Sequence, residues 1–269
     1  MCITNYQMFD GQSITITYGD RAENHNGMQI IGRMAKNGFS TNDLKKCKKK
    51  FELAGLKCEL IDLNDRIDSD DYSDYPDIEF EPAHVLVVKK GIDHLLEDIG
   101  CTSDDMFKEL TGLEWDKKAL MYGRVVNKSA RYNLCFSNNA QKSDFVNGKG
   151  TIIPFNKVKC CDEIRKRLPD FLDGSANLIG EGNYYYSGAC GIGWHGDAER
   201  KKVVAVKLGD VKPLNYQWHY KGKPIGKQIH IELEHSDLYI MSEKAVGTDW
   251  KKKNITTLRH STGADKYIE

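Results

Sequence analysis

The stretch GIGWHGDAERK, Gly191 to Lys201, sets a histidine and an aspartate two residues apart, after an apolar Ile-Gly-Trp and before a charged run. On an extended strand, His195 and Asp197 point to the same side. An imidazole and a carboxylate presented together are two of the three ligands in the facial triad that holds a non-haem Fe(II). An exposed polar turn can carry the same letters, so the surrounding elements have to decide.

Those elements change character along the chain. "SITITYGD" (Ser13 to Asp20) alternates apolar and polar residues and is β-branched, which predicts a strand. "STNDLKKCKKKFELAG" predicts a helix with Ser40 and Asp43 as a capping box and Gly55 as its stop. Phe39 and Leu44 suit a hydrophobic staple across the helix start. "LKCELIDL" and "AHVLVVKKG" predict two more strands, and the acidic, proline-terminated "DRIDSDDYSDYPDIEFEP" between them a solvated loop. Residues 1–110 therefore read as a small α/β domain. From residue 111 to 269 strand-like runs dominate: "LMYGRVVN", "RYNLCFS", "GTIIPF", "NYYYS", "KVVAVKLG", "LNYQWHY", "QIHIELEHSDLYIM" and "ITTLRHS". Only "CDEIRKRLPDFL" is clearly helical there, so a sandwich or barrel is expected.

Charge divides the same way. The chain has no net charge over 269 residues, but residues 1–110 hold 13 Lys/Arg against 21 Asp/Glu, and residues 111–269 hold 26 against 18. The basic half could meet an anionic partner such as DNA or RNA, or the halves could complement each other. The eight cysteines (Cys2, Cys47, Cys58, Cys101, Cys135, Cys160, Cys161 and Cys190) form no C-x-x-C pair. Reduced thiols in a cytoplasmic or nuclear compartment are expected. Neither a signal region nor a membrane-length apolar run is visible, so an intracellular protein without a membrane partner is expected.

The run "NLIGEGNYYYSGACGIGWHGDAER" resembles the AlkB-like family of Fe(II)/2-oxoglutarate-dependent dioxygenases. Members carry Asn-x-Tyr and, about ten residues later, Ile-Gly-x-His-x-Asp with an acidic residue after it. Asn183 and Tyr185 match the first part; His195, Asp197 and Glu199 match the second. "HSDLYIMS" is similar to the family's Gly-Asp-Leu-x-x-Met strand, and "TLRH" to its final strand, which ends in an arginine. The resemblance spans roughly residues 115–262. It implies an α+β chain with a double-stranded β-helix (jelly-roll) domain after the small α/β domain. It also implies Fe(II) on His195 and Asp197, with 2-oxoglutarate held by Asn183, Tyr185, Arg259 and Lys253. Lys253 stands where a first arginine is usual, and lysine pairs a carboxylate only as a point charge.

The family's second histidine should follow the Met241 strand, but the text there is "MSEKAVGTDWKKKN". Asp249 is the first candidate for the third ligand, because a carboxylate is competent for Fe(II). His260 is the second; as a neighbour of an inward Arg259 it should face away. Lys251 would leave a two-ligand position. An iron enzyme with a variant ligand and a non-catalytic binding protein on a degenerate fold both stay open.

Two further stretches bear on partners. "YGRVVNKSARYNLCFS" interleaves Arg124, Lys128 and Arg131 with Tyr122, Tyr132 and Phe136, which suits phosphate contact with base stacking, or a solvated hairpin with its aromatics in the core. "YGDRAENHNGMQIIG" reads as a strand, a helix-capping loop and a helix after Gly27. The resemblance implies hydroxylation of an alkyl or methyl group, with a nucleic-acid base as the expected substrate.

Overall fold

The computed structural model describes residues 9–67, 72–73, 75 and 77–268. Cys2 and positions 68–71, 74 and 76 of the acidic segment lie outside the described residues. In chain order the elements begin with β1 (Ser13–Gly19), β2 (Arg21–Glu23), β3 (Ile30–Gly32), α1 (Thr41–Leu53), β4 (Cys58–Asp62), β5 (His84–Val88), α2 (Gly91–Leu96) and α3 (Ser103–Thr111). Next come β6 (Lys118–Met121), β7 (Arg124–Asn127), β8 (Tyr132–Ser137), β9 (Ile152–Pro154), α4 (Lys159–Phe171), β10 (Ile179–Tyr185) and β11 (Gly191–His195). The chain finishes with β12 (Val203–Gly209), β13 (Lys212–Tyr220), β14 (Lys223–Leu233), β15 (Leu238–Met241), α5 (Glu243–Val246) and β16 (Thr257–Gly263).

The protein is α+β and rich in strand. The larger sheet has the order β4-β5-β15-β12-β1-β10-β8-β9, the smaller one β11-β16-β13-β14. Val203, Ala205, Tyr239 and Met241 of the larger sheet share one core with Leu214, Tyr216, Trp218, Ile231 and Leu258 of the smaller. Alternation sends the residues between them the other way. Ile14, Ile16, Tyr18, Val204, Val206 and Leu208 pack with Leu44, Phe51, Leu95, Met106, Ile164 and Leu168 of α1 to α4. The architecture is thus a helix layer, a large sheet and a small sheet.

Local signals are met where they are strong. Ser40 and Asp43 form the capping box of α1, and its Leu44, Cys47 and Phe51 are buried. The seven described cysteines are free thiols. Among the described residues, no helix is long and apolar enough to cross a membrane.

Two expectations need correction. The boundary at residue 110 does not separate two units. β1, from the expected first domain, lies inside the larger sheet; Ser13–Gly19 pair with β10 and Ser13–Tyr18 with β12. β4 and β5 extend that sheet through β15. The Ile-Thr alternation of β1 serves two covered faces, not a half-exposed one. The helix expected after Gly27 is instead β3, paired with β2. Two β-branched isoleucines favour the strand. Gly32 closes it at φ 86°, where a Cβ would stand 2.4 Å from the Asp20 carbonyl oxygen.

If β1 is integral, a fragment of residues 111–269 should not fold. It lacks the strand that joins β12 to β10. Circular dichroism and denaturant titration should show no cooperative transition for the fragment. In the full chain Ile16→Ala should cost about 2–5 kcal/mol, as for other buried large-to-small changes. A cooperatively folding fragment would restore the boundary.

Candidate metal centre

β11 brings His195 to the site. It runs antiparallel to β16, and His195 faces His260 directly across the pair, after a register shift between Ile192 and His195. Such an irregularity re-aims a side chain at a sheet edge. The chain then turns through Gly196, whose Cβ, were there one, would lie 2.2 Å from the Gly247 carbonyl oxygen and 2.8 Å from Trp250. Only glycine fits between the two ligand residues. The Asp197 N–H donates to the Val246 carbonyl at 3.0 Å, which ties this turn to α5.

The ligand atoms of His195, Asp197 and His260 lie within 4.8 Å of one another. Asp197 Oδ1 is 3.6 Å from His195 Nε2 and 3.5 Å from His260 Nε2. Donors that share one face of an ion, each about 2.1 Å from it, stand about 3 Å apart, so the three groups must close in on an ion to hold it together. His195 Nδ1 lies 2.7 Å from the Gly193 carbonyl. Donation there fixes the tautomer and leaves Nε2 with its lone pair toward the cluster. His260 Nδ1 is buried without a hydrogen-bond partner.

Electrostatics keep these groups in the forms a metal needs. Burial, then the neighbouring His260, pushes His195 down to about 3, so it is a neutral donor. Burial pushes the Asp197 carboxyl up, but Arg200 and His260 more than offset this and hold it below the usual carboxylate range. Arg200, itself 2 % exposed, pairs with Glu181, with Glu199 at 2.6 Å and with Asp197 at 3.7 Å. Burial raises Glu199. Glu23 is raised to about 7, by burial first and then by Glu199 and Glu181.

The cluster opens on a cavity of about 380 Å³. Asn183 and Tyr185 line it, as expected from the sequence. Asn183 Oδ1 accepts from Arg131 Nε at 2.5 Å and from Asn133 Nδ2 at 2.8 Å. Tyr185 is buried, and its phenol is pushed up to about 12. Thr15 and Thr17 of β1, and Glu23, His25 and Asn26 beyond it, also form the wall. The segment read as a helix-capping loop is therefore part of the site.

Other expected residues lie elsewhere. Asp249 pairs with Lys244 at 2.9 Å and does not line the cavity. Lys253 is exposed and outside it. Arg259 is also outside; it pairs in register with Gln217, while Tyr216 stands opposite His260. Tyr216 faces the inter-sheet core, so the alternation that turns His260 inward turns Arg259 outward, over the Trp250 ring at 5.3 Å. Assigning Arg259 inward had inverted the strand. Lys128 is no phosphate contact: its Nζ holds Asn24 Oδ1 at 2.9 Å and Asn133 Oδ1 at 2.8 Å, and burial lowers it to about 7. Phe136 is core, and Tyr132 stacks on Tyr186. Sequence reasoning missed the roles of Arg200, Glu23, Lys207 and Lys212. The lysine in the otherwise apolar "VVAVKLG" was a legible signal.

Two outcomes follow. His260→Ala should weaken Mn(II) binding, followed by electron paramagnetic resonance, at least about tenfold, while Asp249→Ala leaves it unchanged. The reverse pattern would reinstate Asp249. Arg200→Met should destabilise the fold by about 3–5 kcal/mol, because it strands buried carboxylates. Their folded pKa values then rise above the unfolded ones, so this deficit should shrink as pH falls from 8 to 5. Urea titrations at both pH values test the sign.

No protein-family profile matches this chain. Uncharacterized protein R156 of Acanthamoeba polyphaga mimivirus is 47% identical to it over 262 residues, which cover 96% of this chain and 98% of that protein. At that identity and coverage, this chain belongs to the same family as the viral protein R156.

Proposed function

We propose that the protein is an AlkB-like Fe(II)/2-oxoglutarate-dependent dioxygenase that hydroxylates an alkyl or methyl group, with a nucleic-acid base as the substrate class. The observation that carries this reading is His260 beside His195 and Asp197, two imidazoles and one carboxylate at one end of a cavity. That donor set suits a non-haem Fe(II) with open coordination positions. The alternative, a non-catalytic binding protein, rested on the lack of a second histidine and on Lys253 in place of an arginine. His260 beside the pair favours the enzyme on the first ground, while Lys253 lies outside the cavity.

The strand path supports a jelly roll. From β10 onward the chain alternates between the larger and smaller sheets: β10, β11, β12, then the β13–β14 hairpin, β15 and β16. β15-β12-β1-β10 are four neighbouring strands of the larger sheet, and on this reading they form the half of the roll opposite the four of the smaller. On this reading β1, from the start of the chain, fills the eighth position.

Bound Fe(II) and 2-oxoglutarate would supply the O2-dependent chemistry, which oxidatively decarboxylates the co-substrate to succinate and hydroxylates a C–H bond. The chain's own residues set the conditions. His195, Asp197 and His260 would hold the metal, with His195 a neutral imidazole and Asp197 a carboxylate at neutral pH. Asn183 and Tyr185 wall the co-substrate space. Glu23 and Glu199 offer carboxyl oxygens to the amino edge of a base. Tyr122, 94% exposed at the β6–β7 turn, stands with Lys118 and Arg124 on a hairpin. Lys128 ties that hairpin to Asn24, between the wall residues Glu23 and His25. An exposed aromatic with cations on a hairpin suits stacking on a nucleic acid and contact with its phosphates. A duplex substrate would have to extrude its base.

The test is incubation of protein, loaded with Fe(II) without oxygen, with 2-oxoglutarate, O2 and N-methylated oligonucleotides. Succinate should form together with demethylated base. His195→Ala, Asp197→Ala and His260→Ala should each lower turnover at least about 100-fold, since each removes a metal ligand. No succinate above background from protein shown to hold iron would overturn the assignment.

A further inference from the structure

The cations expected to hold a carboxylate, Lys253 and Arg259, stand outside the cavity, yet two other lysines line it. On β12, Val203 and Ala205 face the inter-sheet core, and Lys207 is the next residue on that face. It is 2 % exposed. Its Nζ donates to the Leu208 carbonyl at 3.0 Å and to that of Asp210. Lys212, at the start of β13, is 7 % exposed. Its Nζ is 3.4 Å from the Cys190 carbonyl and 5.5 Å from the centre of the Tyr185 ring.

Neither ammonium has an ion pair among the described residues. The nearby acids are engaged elsewhere. Asp210 accepts from the Gly11 N–H at 2.5 Å, and Asp237 pairs with Lys89 at 2.7 Å. Burial, followed by Lys212, pulls Lys207 down to about 7, and burial lowers Lys212 too. Two like charges out of water with only carbonyls for company are a poor way to stabilise a core. Apolar residues of the same volume would serve the fold better. Groups that break packing logic in this way, on a cavity wall, are expected where a ligand completes them.

We infer that Lys207 and Lys212 form a carboxylate-binding subsite in the buried wall of the cavity, with the Tyr185 ring beside Lys212. The inference rests on the dioxygenase reading for the ligand's identity: the co-substrate's carboxylate remote from the metal would dock there. The register is consistent with this. Thr15 pairs with Asn183 on one side and Lys207 on the other. Asn183 and Lys207 are thus two strand spacings apart, about 10 Å, on one face of the sheet. Arg131 is the competing cation: its Nε is on Asn183, but a guanidinium has further donors, so it enters the test as a rival. Arg200 is saturated by three carboxylates.

The test uses the full chain loaded with Mn(II), which binds without turnover. Calorimetric titration compares 2-oxoglutarate with 2-oxobutyrate, which keeps the 2-oxo acid and lacks the second carboxylate. Wild-type protein should prefer 2-oxoglutarate by at least about 30-fold, as a charge-assisted pair predicts. Lys207→Met and Lys212→Met should each cut that preference to about threefold or less, with Mn(II) affinity unchanged. Equal binding of the two acids by wild type would overturn the subsite. So would a preference that survives both lysine variants and disappears in Arg131→Met. A metal-free arm separates this inference from the reading beneath it. Glutarate that raises the Tm of wild type but of neither lysine variant, in protein that takes up no Mn(II), would support the subsite while counting against the dioxygenase.

Discussion

The structure hangs on seven residues, Ser13–Gly19, bonded on both edges. β1 joins β12 to β10 in continuous register, so the strand next to His195 and the strand carrying Lys207 keep their spacing only while β1 is in place. Its two faces do different work. Ile14, Ile16 and Tyr18 enter the core beneath the helices, whereas Thr15 and Thr17 line the cavity. One alternating segment thereby fixes both the stability of the large sheet and the width of the site. The residues that follow it, Glu23, His25 and Asn26, reach the cavity wall because β2 turns back against β3.

Around this frame the charges are few in kind but densely placed. Arg200 is the common partner of Glu181, Glu199 and Asp197, and Glu181 also accepts from the Glu23 N–H at 3.0 Å. A buried guanidinium with planar donors suits several carboxylates at once, where a lysine would not. The neighbouring polar network runs from Asn183 through Asn133 to Lys128, Asn24 and Asp116. It couples β10 to the N-terminal hairpin by hydrogen bonds rather than by apolar packing.

Much of this was legible because it is local. The capping box at Ser40 and Asp43 and the strands around Ile16, Val206 and Tyr239 follow from spacing alone, whereas the His195–Asp197 pair was raised by spacing and given its reading by the surrounding motif. Asn183 and Tyr185 were reached through their motif. Partnership between distant strands was less accessible. β1 reads as the start of a separate unit because nothing in "SITITYGD" says that both its edges will be filled by residues more than a hundred positions away. The place of His260 was misread for a related reason. Taking Arg259 as the inward residue assigned the wrong phase to the whole of β16, and a slip of one reverses every side chain on a strand. The register of β16 against β11, which sets His260 opposite His195, is a tertiary fact.

The same phase correction explains the charge layout of the cavity. With Arg259 outward, the site's cations must come from elsewhere, and Lys207 and Lys212 are the buried ones not claimed by an acid. One region of the cavity then holds Asp197, Glu199, Glu181 and Glu23 around a single arginine, and another holds two unpaired ammoniums. A divalent cation at the first and a dicarboxylate reaching the second would each relieve a burial cost that the protein alone bears. Glu181 on β10 and Lys207 on β12 are carried by strands that β1 bonds together, so the fold's central strand holds the acidic and the basic parts of this wall at a fixed distance.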